Sequence, residues 1–159
     1  MLFRSGGRSW LVLPTGEVLR PSDGKVVASG LGDVMYKGPH AEGDRVWFMG
    51  GTSESLHRQT GSLTASSWRL VPAGDTVSAE KVWELRYPTV QAFYAQPMVW
   101  EGRLYAVDRA GELWTLHADT GTVLSRTRIG DGTQGDAYSP IQVAGRSEER
   151  RVGKECRSR

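Results

Sequence analysis

The chain has 159 residues, 38% hydrophobic and 24% charged, a balance that suits a folded domain with its own core and excludes an intrinsically disordered chain. Its formal charge of +2 is small, its arginines form no basic stripe, and no apolar run approaches the roughly 18 residues of a membrane helix, so neither nucleic-acid binding nor a membrane span is expected. The charge sits unevenly. The last fourteen residues, Arg146 to Arg159, carry six Lys/Arg, three Asp/Glu and the single cysteine, Cys156, so residues 1–145 are close to neutral and can hold neither a disulfide nor a thiolate metal site.

Taken in order, the chain reads as short strands separated by turn residues. Met1-Leu2-Phe3 is a strand, Ser5-Gly6-Gly7 a turn, Trp10 to Leu13 a strand, Pro14-Thr15-Gly16 a turn and Glu17 to Arg20 a strand. Ser22-Asp23-Gly24 turns again and Lys25 to Ala28 closes the unit; Asp-Gly favours a hairpin because glycine tolerates positive φ. Val46 to Met49 is a strand, and Gly50 to Ser66, polar and interrupted by Gly50-Gly51 and Gly61, reads as a long hairpin insertion. Trp68 to Val71 and Lys81 to Arg86 are strands joined through Pro72-Ala73-Gly74-Asp75. Residues 77–85 have some helical propensity, but their Val and Trp content favours strand. No sustained 3.6-residue periodicity occurs, so helix should be minor.

Gln96 to Gly145 is the clearest unit. Met98 to Trp100, Leu104 to Val107, Glu112 to Leu116 and Thr122 to Ile129 read as four strands, with turns at Glu101-Gly102, Arg109-Ala110-Gly111 and Ala118-Asp119-Thr120-Gly121. Ser139-Pro140-Ile141-Gln142-Val143 then repeats the sense of Gln96-Pro97-Met98-Val99, with Pro97 and Pro140 43 residues apart. Four strands in about 40–45 residues is the size of one β-propeller blade. A turn residue, Arg, any residue and an aromatic recur at Gly7-Arg8-Ser9-Trp10, Asp44-Arg45-Val46-Trp47 and Gly102-Arg103-Leu104-Tyr105, with intervals of 37 and 58 residues between the arginines. The predicted fold is therefore all-β: a partial β-propeller of about three four-stranded antiparallel blades plus the first strand of another. The blades are expected over about residues 1–34, 35–95 and 96–137, with the next opening at 138–145.

The segments AYSPIQVAG, EGRLYAVDRAGELWTLHADTGTVLS and AEKVWELR resemble the repeats of PQQ-like (quinoprotein-type) β-propeller proteins. That superfamily includes quinoprotein alcohol dehydrogenases and a propeller lipoprotein of the outer-membrane assembly machinery. The resemblance is specific over Gln96–Gly145 and looser over Met1–Ala95. It implies a Trp four residues after the Gly of Thr-Gly, docking on the neighbouring blade; Ser125 stands there in the third unit, and Trp83 is the candidate for that role in the second. By the same alignment Met1 falls inside a blade. Residues 146–159, RSEERRVGKECRSR, resemble the in-frame translation of a short-read sequencing adapter and are expected to be a non-native tail outside the fold.

No catalytic constellation stands out. Gly130-Asp131-Gly132-Thr133-Gln134-Gly135 is a literal GxGxxG, but it leads into Asp136-Ala137-Tyr138-Ser139-Pro140, a strand entry, where a dinucleotide site needs a helix. Asp131 and Asp136 lack the order of a calcium loop, and His40, His57 and His117 lack metal-ligand spacing. There is no nucleophile elbow and no catalytic cysteine. Trp10, Trp47, Trp83, Trp100, Tyr105 and Trp114 sit at strand positions, where packing between blades accounts for them better than a sugar- or quinone-stacking platform. The expected binding surface is the set of loops at 50–66, 109–111 and 130–137, with Arg109, Gly111, Asp131, Gln134 and Asp136 as its candidate residues.

The resemblance implies a non-catalytic binding or scaffold propeller of a bacterial envelope or secreted protein, periplasmic or exported, whose partners are a protein or small ligand and the remaining blades of its own chain. The alternative is part of a PQQ-dependent alcohol or sugar dehydrogenase; only then is a PQQ cofactor expected, and the stacking aromatics and acidic ligands it needs are not seen. An open arc is also expected to leave two sheet faces bare, with Trp10, Val12, Leu104, Ala106 and Trp114 on them, and to aggregate or oligomerise.

Overall fold

The computed structural model describes residues 2–5, 8–32, 34, 37–50, 63–87, 93–129 and 141–142. They contain twelve strands and no helix. Three four-stranded antiparallel sheets follow one another along the chain. The first comprises β1 (Leu2–Ser5), β2 (Arg8–Val12), β3 (Val18–Leu19) and β4 (Val26–Ala28). The middle sheet comprises β5 (His40–Glu42), β6 (Arg45–Gly50), β7 (Leu63–Ala73) and β8 (Thr76–Tyr87). The third comprises β9 (Met98–Trp100), β10 (Arg103–Val107), β11 (Glu112–His117) and β12 (Val123–Arg128). Within each sheet spatial order equals chain order, a simple meander, and the architecture is a partial β-propeller.

Two elements differ from the sequence expectation. His40–Glu42 forms β5, although His-Ala-Glu has no strand signal of its own; pairing of His40 with Trp47 and Glu42 with Arg45 creates it. The hairpin β7–β8 is longer than its apolar runs. It starts at Leu63, inside the stretch expected to be insertion, and pairs through Pro72 and Val77 to a turn at Gly74-Asp75, because a ladder once opened extends through polar residues. Of the segment expected to open a further sheet, only Ile141 and Gln142 are described, and residues 146–159 lie outside the described residues.

The core is two seams, one on each face of the middle sheet. Along β6, Val46 and Phe48 join Trp10, Val12, Val18 and Leu31 in the seam with the first sheet. Trp47 and Met49 join Leu104, Ala106, Trp114 and Leu116 in the seam with the third. A strand's side chains alternate, so a strand with sheets on both sides must be apolar throughout, which Val-Trp-Phe-Met satisfies. Each fully buried Phe or Met contributes about 1.5–3 kcal/mol.

This arrangement corrects the expected bare faces. Trp10, Val12, Leu104, Ala106 and Trp114 are at most 4% exposed, because their parity along the strands points them into the two seams. The outward faces carry the other parity, the half-buried Leu11 and Leu19 on the first sheet and Tyr105 and Leu113 on the third. Trp100, expected in packing, is 46% exposed.

The repeated arginine has a structural role. Arg8, at the start of β2, donates to the Gly74 carbonyl and to Asp75 Oδ1 (2.7 Å) in the β7–β8 turn of the next sheet. Arg45, at the start of β6, reaches the Ala118 carbonyl (3.5 Å) and Asp119 Oδ1 (3.3 Å) in the β11–β12 turn of the sheet after it. Each thus clips its sheet to a carbonyl and the following Asp on the next. At the second seam Trp47 Nε1 (2.9 Å) and Trp83 Nε1 (2.8 Å) also donate to the Ala118 carbonyl. Trp83 lies over Gly121, whose φ of 72° and lack of Cβ admit the ring; a Cβ there would come within 2.6 Å of it. Trp83 therefore docks on the neighbouring sheet, whereas Ser125, at the corresponding place in β12, is exposed.

Candidate functional site

A meander places its second-to-third-strand turns and its inter-sheet links at one end of the stack. Two such turns are superimposable in hydrogen bonding. Leu13 N donates to Glu17 O (2.9 Å) and Gly16 N to Leu13 O (3.0 Å); Asp108 N donates to Glu112 O (3.0 Å) and Gly111 N to Asp108 O (3.1 Å). The turn at 108–112 is further held by the fully buried Asp108. Its Oδ1 accepts from Ala110 N (2.9 Å) and Glu112 N (3.0 Å), and its Oδ2 accepts from Trp114 Nε1 (2.9 Å). All three of these partners are donors, and Asp108 acts as a latch between turn and core. Gly111, with φ of 76°, completes the turn, and Ile129 N donates to its carbonyl (2.9 Å). Arg109 lies exposed at the tip of this hydrogen-bonded turn.

At the same end, the seam between the first and middle sheets opens into a groove of about 360 Å³. Thr15 from the first sheet and Thr64, Ser66, Trp68, Lys81 and Glu84 from the middle sheet line it. Trp68 Nε1 donates to Ser66 Oγ (3.1 Å), Lys81 Nζ lies 5.0 Å from the Trp68 ring centroid, and Lys81 pairs with Glu84 (2.5 Å). The Glu84 carboxyl is held below the usual carboxylate range by its hydrogen bonds from Lys81 and Arg86. The groove therefore offers hydroxyls, an indole and a paired cation and anion, a set suited to non-covalent contact with a polar, partly apolar ligand.

Lys37, in the link before β5, is also near this end and only 7% exposed. Its Nζ donates to the Phe93 carbonyl and lies 5.5 Å from the Phe93 ring centroid. Burial lowers its pKa from 10.5 to about 7. His40 is lowered too, by burial, against an opposing pull from Glu42, and its ring tilts against Trp47 at 5.9 Å.

Of the expected site residues, Arg109 and Gly111 fall in the latched turn, while Asp131, Gln134 and Asp136 lie outside the described residues. Of the expected 50–66 loop, Thr64 and Ser66 are strand residues lining the groove, and 51–62 are outside the described residues. Sequence reasoning missed Asp108, Lys37, Trp68, Lys81 and Glu84 as a set. Asp108 had a usable signal, the spacing Asp-x-Ala-Gly-Glu-x-Trp that closes an Asp-capped turn; the others are joined by tertiary contact alone. Among the described residues no three His, Cys, Asp or Glu side chains gather as a metal site, and no helix is long and apolar enough to cross a membrane.

No protein-family model matches the chain, and no curated protein matches it. Forty chains of solved structures do match. Among them is BamB from Moraxella catarrhalis, 19% identical, with a TM-score of 0.50, covering 84% of this chain and 37% of that one. The chain thus spans little more than a third of that structure's length. At this identity the likeness concerns fold, and it supports a β-propeller-like architecture built of sheets such as the three seen here.

Proposed function

We propose that this chain is part of a PQQ-like β-propeller that acts as a non-catalytic binding scaffold in a bacterial envelope or secreted protein, holding a protein or small ligand on the turns at one end of its sheets. The observation that carries the reading is the Asp108 latch. The fully buried Asp108 carboxylate fixes the turn at 108–112 through Oδ1 and ties it to the Trp114 indole through Oδ2, and the residue at the tip of that turn, Arg109, is exposed. Rigid display of a side chain lowers the entropy lost on binding. The groove beside Trp68, Lys81 and Glu84 opens at the same end and adds a second contact area. The likeness to a BamB fold supports the architecture, and the repeat resemblance supports the compartment.

The test places a photo-crosslinking residue at Arg109, at Lys81 and, as a control, at Leu124 on the outer strand, in the protein expressed in a bacterial host with export. Discrete adducts at positions 109 and 81, absent at 124 and lost with Asp108→Ala, support the reading. Equal labelling at all three positions refutes it. Dye-linked alcohol oxidation on adding PQQ and Ca²⁺ would instead favour the dehydrogenase alternative.

A further inference from the structure

The opposite end of the sheets holds a second cavity, of about 350 Å³, at the seam between the first and middle sheets. Arg8, Trp10, Arg20, Pro21, Ser22 and Asp75 are among its walls. The charges are arranged around one carboxylate. Asp75 Oδ1 lies 2.7 Å from Arg8 NH1 and its Oδ2 lies 3.9 Å from Arg20 NH1, so the carboxylate bridges two guanidiniums. Yet the Asp75 side chain is 76% exposed, at the tip of the β7–β8 hairpin, and can swing into water. Arg8 would remain attached to the Gly74 carbonyl, and Arg20 to Asp23 by two hydrogen bonds of 2.9 and 2.7 Å.

Among the described residues, the same seam has a donor without an acceptor. Trp10 is the counterpart of Trp47, whose indole donates to the Ala118 carbonyl at the point where β11 ends in a turn. Leu70 is the counterpart of Ala118: Leu70 N donates to Asp44 O (2.7 Å) as Ala118 N donates to Gly102 O (2.9 Å). But β7 runs on past Leu70 to Ala73, so no turn carbonyl is offered there, and the buried Trp10 Nε1 has no partner among the described residues. The cavity thus combines two guanidiniums, the Ser22 hydroxyl and an apolar floor of Trp10 and Pro21, with Asp75 as the displaceable acceptor.

We propose that this cavity binds a small organic acid, whose carboxylate takes the place of Asp75 between Arg8 and Arg20 and whose apolar part lies against Trp10 and Pro21. Arg8 supplies a charge-assisted hydrogen bond at this position, and Arg20, whose Nε and NH2 stay on Asp23, adds the attraction of a second positive charge. The site is at the other end of the sheets from the proposed scaffold surface, so either can fail alone.

Benzoate is the probe, titrated at low ionic strength while the indole and guanidinium NMR signals of Trp10, Arg8 and Arg20 are followed. Saturable shifts at these residues are expected. Asp75→Asn removes the internal competitor and should tighten benzoate about two- to fivefold, the worth of an exposed ion pair. Arg20→Gln should weaken it, and benzyl alcohol, which has the ring without the charge, should not compete. The proposal is overturned if benzoate causes no saturable shift in either the wild type or Asp75→Asn, or if Asp75→Asn leaves its affinity unchanged. Inorganic phosphate binding as tightly as benzoate would overturn the apolar half of the site.

Discussion

Lys37→Met should stabilise the protein, and the gain should vanish at high pH. In the fold the Lys37 amine sits beside Gly50 and donates to the Phe93 carbonyl, and burial lowers its pKa to about 7 from 10.5. Between those values the unfolded chain binds a proton that the folded chain releases, so stability rises with pH across that window; below pH 7 the full penalty applies. Three and a half pKa units correspond to about 5 kcal/mol, of which the lost hydrogen bond to Phe93 returns roughly 1–2. Lys37→Met, which keeps the length of the stem, should therefore raise the unfolding free energy by about 2–4 kcal/mol at pH 7. Urea denaturation of both proteins from pH 6 to 10.5 reads this directly. The two curves should converge as pH rises toward 10.5. A difference that stays constant with pH, or a destabilised Lys37→Met, would show that the amine is not paying for its burial and would refute the argument.

Asp108→Ala removes three accepted hydrogen bonds, one of them from the buried Trp114 indole; it should cost about 3–5 kcal/mol and broaden the amide signals of 109–111, as read by denaturation and NMR. Gly121→Ala meets both a φ of 72° and the Trp83 ring at 2.6 Å, so a loss of about 2–4 kcal/mol is expected; Asp119→Ala on the same turn should cost under about 1 kcal/mol, because the Asp119 side chain is 67% exposed and its contact with Arg45 is long, at 3.3 Å. Trp83→Phe keeps most of the apolar surface but loses the bond to the Ala118 carbonyl, with about 1–2 kcal/mol lost in thermal or chemical unfolding; a neutral result would show that the docking is contact alone.

The repeated Arg-x-aromatic triplets located the second strand of every sheet, and alternation placed one aromatic per repeat on the same face: Trp10 and Trp47 point to the following sheet, and Tyr105 shares their parity. Local turn chemistry was equally readable, since glycine at positive φ and Asp-Gly or Thr-Gly pairs depend only on neighbouring residues. What alternation could not supply was which of two faces meets which neighbour. That is why Trp10, Leu104 and Trp114 were expected on bare faces and are found in seams. β5 has no strand signal because its strand character is induced by its partner. The pairing of Arg8 with Asp75, 67 residues away, the meeting of Trp47 and Trp83 on one carbonyl, and the burial of Lys37 also have no local signal. Backbone conformation is settled by neighbours in the chain and so is legible in it; desolvation and cross-sheet hydrogen bonds are settled by neighbours in space, and only the packed sheets decide them.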